Sequence, residues 1–130
     1  MLKTIILVSK EPIARWEFAQ FLQQVGAEKD DRDRVYDAQL CDRSGGYLWI
    51  MYEPEEELFG DELASRTETI TQKLGSLPAT QVQVEIGKNG SSKMLAAEFV
   101  SKFSQNWACI VDDDSFMLYS VPDFIEICRR

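Results

Sequence analysis

The stretch that most constrains the fold runs from residue 82 to 114, VQVEIGKNGSSKMLAAEFVSKFSQNWACIVDDD, because its hydrophobic period changes twice. Val82, Val84 and Ile86 alternate with Gln81, Gln83 and Glu85. Period two sends successive side chains to opposite faces and predicts a strand with one buried face. Residues 87–92 break the alternation, and Gly90, Ser91 and Ser92 supply turn and helix N-cap chemistry. From Met94 the period is helical: Leu95, Phe99 and Phe103 share a stripe, with Ala96, Val100 and Trp107 beside it. Ala108, Cys109, Ile110 and Val111 then run unbroken and stop at Asp112, Asp113 and Asp114, as a strand buried on both faces would. Strand, helix and strand in succession predict a βαβ unit with parallel strands and a right-handed crossover.

The rest of the chain extends this pattern. Residues 2–8 read as a first strand. A helix follows from Pro12 to a stop at Gly26, with Ile13, Trp16, Phe18, Phe21, Leu22 and Val25 on a wide apolar face. Residues 27–34, AEKDDRDR, read as a charged surface loop. Val35 to Cys41 and Tyr47 to Tyr52 read as a hairpin joined through Gly45-Gly46, and YLWIMY is apolar on both faces, hence central. A second helix starts at Pro54 or at Gly60-Asp61 and buries Leu63, Ile70, Leu74 and Leu77. After the aspartates come a short strand from Phe116 to Tyr119 and a terminal helix opened by Pro122. The expected fold class is α/β (α+β): one domain over residues 1–130, a mixed sheet with helices packed on it, in the order β-α-β-β-α-β-α-β-β-α. A chain of 130 residues, 45% of them hydrophobic, is long enough to bury a core without staples.

Several function classes fall away on composition. The chain has no histidine, which removes serine-histidine and cysteine-histidine catalysis and the commonest metal ligand. Gly87 to Lys93 sits between a strand and a helix, but its lysine and glycine spacing does not meet GxxxxGK[ST], and there is no GxGxxG. No cofactor and no metal is expected. The apolar run Ile5 to Val8 is too short for a signal peptide or a membrane span. Cys41, Cys109 and Cys128 show no paired spacing, which points to free thiols and a cytoplasmic location.

The net charge of −8 is unevenly placed. Residues 53–62 and 112–126 hold eleven of the 22 acids and none of the 14 bases. Nucleic acid is excluded as a partner by this balance, and a basic protein partner is its natural complement. The candidate partner-binding residues are Glu53, Glu55, Glu56, Glu57, Asp61, Asp112, Asp113, Asp114 and Tyr119. Tyr47 and Tyr52 are further candidates for a half-exposed recognition surface, while Trp16, Trp49 and Trp107 read as packing.

The pattern W-x-x-x-V-D-D at Trp107, Val111, Asp112 and Asp113, ahead of a short strand and terminal helix, resembles bacterial immunity proteins of contact-dependent and polymorphic toxin systems. The resemblance implies a non-enzymatic protein that neutralises a cationic toxin domain, often a nuclease, by covering its active site, with carboxylates standing in for nucleic-acid phosphates. Two alternatives stay open: a metal- or phosphate-handling enzyme domain using Asp112 to Asp114 with Lys88 or Lys93, and an adaptor subunit of an unrelated complex.

Overall fold

Ile5 to Val8 need apolar cover on both sides, and the fold meets that need by seating their strand inside a seven-stranded sheet. The computed structural model describes residues 3–29, 38–54, 64–113 and 117–130, with side chains left aside at 53, 54 and 64–67. The elements are β1 (Thr4–Ser9), α1 (Arg15–Gln24), β2 (Glu28–Lys29), β3 (Ala38–Cys41), β4 (Tyr47–Pro54), α2 (Ala64–Leu74), β5 (Thr80–Ile86), α3 (Ser91–Asn106), β6 (Cys109–Asp112), β7 (Leu118–Tyr119) and α4 (Val121–Cys128). The expected order therefore holds, with β2 added inside the presumed surface loop. Both residues of β2 are exposed, so no apolar alternation marked it.

The strand order is β2-β3-β4-β5-β1-β6-β7. Every neighbouring pair is antiparallel, so the α+β class holds while the expected mixed sheet does not. The reason lies in the βαβ unit. β5 and β6 do run in the same direction, but β1 lies between them and pairs with both. The first strand, apolar from Ile5 to Val8, has taken the slot that a simple crossover would have left between neighbours.

Alternation divides the side chains between two layers. Ile5 and Leu7 of β1, Leu48 and Ile50 of β4, and Val82, Val84 and Ile86 of β5 face α1 and α3 in the main core. Phe18, Phe21, Phe99, Phe103 and Trp107 fill the space between those helices with ring centroids 5.1–6.5 Å apart. On the other face Val8 and Ile110 meet Ile70 of α2 in a smaller cluster.

Local chemistry sets the helix ends. Glu17 Oε1 accepts from the Ala14 N–H at 3.1 Å, half of a capping box. Gly26 has φ +84°, and Ala27 and Gly26 donate to Leu22 and Gln23 carbonyls in a Schellman pair. Two expectations about burial are corrected. Trp16 is 66% exposed, because the buried stripe of α1 is Phe18, Phe21 and Leu22, and residue 16 lies about 200° around the helix from residue 18. Leu77 is 71% exposed, because α2 has already ended before Gly75. The proposed helix starts at Pro54 or Gly60, and the strand start at Phe116, touch residues outside the described part.

The sheet has two ends that matter below. β1 starts, β5 and β6 finish, and α3 begins at the end marked by Lys3. β1 finishes beside Thr80 and Pro54 at the opposite end, marked by Ser9. The length of β5 separates them by about 20 Å.

Candidate functional site

Antiparallel strands return the chain to the same end repeatedly, and at the Lys3 end several of these returns carry a base, while β6 ends at Asp112, followed by Asp113. Lys3 precedes β1, Lys88 lies in the β5–α3 loop, Lys93 is in the first turn of α3, and Arg129 and Arg130 follow α4. Together they line a cleft of about 1010 Å³ whose wall includes one acid, Asp113. The Lys93 Nζ donates to the Arg130 carbonyl oxygen at 3.3 Å, tying the α3 start to the α4 end. Among the described residues none of these five cations forms an ion pair; the pair that is formed, Lys102 with Glu98 at 3.9 Å, lies along the exposed side of α3.

Residues 87–90 of the β5–α3 loop line the cleft, and the β3–β4 hairpin braces that loop from beside it. Asp42 Oδ1 accepts from the N–H groups of Ser44 and Gly46, each at 2.8 Å, which closes the hairpin. Gly46 then packs against the α3 start so closely that a Cβ would sit 2.9 Å from the Ser92 nitrogen. The Asn89 side chain donates to the Ser44 carbonyl and accepts from both the N–H and the hydroxyl of Ser91. Ser92 N donates to the Asn89 carbonyl, and the Ser92 hydroxyl accepts from Tyr47 N. The expected cap residues are thus used differently: Gly90 occupies the cap position without a side-chain bond, and Asn89 satisfies the first turn.

The acidic candidates separate. Asp112 is 2% exposed and lies on the α2 face, opposite Ile6 and Leu118, so it presents nothing to a partner. Asp113 is held in the β6–β7 connection: its Oδ1 accepts from Met117 N at 3.2 Å and its Oδ2 from the Tyr119 hydroxyl at 3.3 Å. Partial desolvation and the Asp113 carboxylate raise the Tyr119 phenol above its ordinary value. Asp123, in the first turn of α4, is exposed. Of the described members of the second acidic run, Asp112 is buried, Asp113 is partly buried and Asp123 is exposed. Glu53 closes β4 opposite Gln81. Glu55, Glu56, Glu57, Asp61 and Asp114 lie outside the described residues.

Among the other candidates, Tyr47 is exposed and edge-on to Trp49, with centroids 4.5 Å apart. Tyr52 is buried, because it shares the core face of β4 with Leu48 and Ile50, and its hydroxyl donates to the Ile13 carbonyl. Cys41, Cys109 and Cys128 are free thiols. Burial pushes the Cys109 thiol up to about 12 and the Cys128 thiol up to about 11, so both are unreactive near neutral pH. Among the described residues no three His, Cys, Asp or Glu side chains come together to hold a metal, and Asp112 and Asp113 face opposite sides of the sheet.

Sequence reasoning missed the basic cleft. Its five residues come from four separate places in the chain, and the adjacent pair Arg129-Arg130 was its one local signal. No helix of the described part is long and apolar enough to cross a membrane. No family model matches the chain, and no curated protein or solved structure matches it either.

Proposed function

We propose that the protein is a cytoplasmic binding domain of the immunity type, which neutralises a basic toxin domain by docking the acidic run from Glu53 to Glu62 onto it. The observation that carries this reading is the segregation of charge along the chain. Residues 53–62 hold six acids and no base, and Glu53, the first of them, stands opposite Gln81 at the end of β4. Gathering like charges in one base-free stretch is electrostatically unfavourable in the free protein, and a basic partner relieves it. Burial of Asp112 and the internal bonds of Asp113 shift the weight to Glu55, Glu56, Glu57 and Asp61. Three free thiols and the absence of a disulfide suit a reducing compartment.

The test is co-expression with the terminal domain encoded by the gene immediately upstream. A toxic domain whose toxicity is abolished by the protein supports the reading. The Glu55→Lys/Glu56→Lys/Glu57→Lys variant should lose protection while keeping its circular dichroism spectrum. A harmless neighbour, or a toxic one against which the protein gives no protection, rules the reading out.

A further inference from the structure

We infer that the cleft between the α3 start and the α4 end is a second docking site, of opposite polarity, for an acidic peptide segment of a partner protein. The inference does not depend on the function proposed above. Its basis is the convergence of Lys3, Lys88, Lys93, Arg129 and Arg130 on one cleft in a chain of net charge −8, with none of the five neutralised by a carboxylate among the described residues. Five like charges gathered on one cleft, whose described wall includes the single acid Asp113, are electrostatically unfavourable together in the free protein, and an acidic ligand relieves this.

Three features select the occupant. A phosphate cradle needs free loop and helix N–H groups aimed at one point. Here the Ser91 and Ser92 amides and hydroxyls are already engaged by Asn89 and Tyr47. The cleft itself is lined by flexible ammonium and guanidinium groups from four segments. An extended peptide presents side chains on one face about every 7 Å, and long flexible cations from four segments can reach such carboxylates. A nucleic-acid strand is a poorer fit, because it extends beyond the cleft over a surface of net negative charge, well within reach of a Debye length of about 10 Å.

The experiment uses the full chain and a fluorescein-labelled glutamate-serine peptide, read by anisotropy at low salt. The peptide should bind, its glutamine-serine counterpart should not, and binding should weaken steeply as salt rises. Lys3→Glu/Lys88→Glu, two exposed positions, should weaken it about tenfold. Lys73→Glu/Lys102→Glu, outside the cleft, and the triple reversal at Glu55, Glu56 and Glu57 should leave it in place. Absent binding, or equal binding by the cleft variant, overturns the proposal. So does displacement of the peptide by pyrophosphate or a single-stranded oligonucleotide at lower concentration, or concentration-dependent self-association that the cleft variant abolishes, which would assign the cleft to a second copy.

Discussion

Phe103→Ala should remove a large part of the domain's stability. Phe103 is fully buried, and its ring centroid lies 6.4 Å from Phe18, 5.8 Å from Phe21, 6.5 Å from Phe99 and 5.1 Å from Trp107. It joins α1 to α3 above the sheet. Truncating a buried phenylalanine costs about 3–5 kcal/mol, and the upper half of that range applies here because four rigid rings cannot collapse far into the space left behind. Domain stability is about 5–15 kcal/mol, so the loss is a substantial fraction. With a urea m-value of about 2 kcal/mol per M, the midpoint should fall by about 2 M at constant slope. The assay is equilibrium urea unfolding followed by tryptophan fluorescence and circular dichroism, with Trp16→Ala as control. Trp16 is mostly exposed, and its loss should stay within about 0.5 kcal/mol. A Phe103→Ala midpoint within about 0.5 M of the parent, or equal losses for the two variants, would refute the placement of the core.

Three smaller predictions follow from the loop, the thiols and their titration. Gly46→Ala should destabilise by about 1–3 kcal/mol in the same assay, because the new methyl meets the backbone nitrogen of Ser92; an unchanged midpoint would show that the hairpin does not press on α3. Thiol labelling of the native protein should modify Cys41 first and Cys128 only on unfolding, with three thiols counted in denaturant without reductant. A count of one would mean a disulfide. Burial raises the folded-state values of Cys109 and Cys128 above 9.0, so the unfolded chain gives up those protons first. Their stability contribution is therefore complete below about pH 9 and is lost as pH climbs through 11 and 12; Cys109→Ala should flatten that alkaline decline.

Elements were legible where the period was pure. Val82 to Ile86 alternates without exception, and Leu95, Phe99 and Phe103 keep a strict helical stripe, so β5 and α3 appear where the pattern places them. Partner choice among strands was not legible, because Val82, Ile110 and Leu7 are equally apolar and only the three-dimensional layer decides that β1 separates β5 from β6. Trp16 misled because hydrophobicity was read without its angle on the helix. Asp112 misled for the converse reason: charge was read without parity, though it shares the inward face of Ile110. The cleft was invisible in principle, since Lys3, Lys88 and Arg129 meet only after the strands have returned to one end.

The proposed charge-driven recognition by the acidic run is tested most directly by the rate of association with the purified domain encoded upstream, the partner proposed above, measured against salt. For the parent protein the rate should fall steeply from about 0.1 M to 1 M salt, as the Debye length shrinks from about 10 Å to about 3 Å. The Glu55→Lys/Glu56→Lys/Glu57→Lys variant should associate slowly at every salt concentration, with its urea midpoint intact. Parent-like association by that variant, with the same salt dependence, would contradict the account.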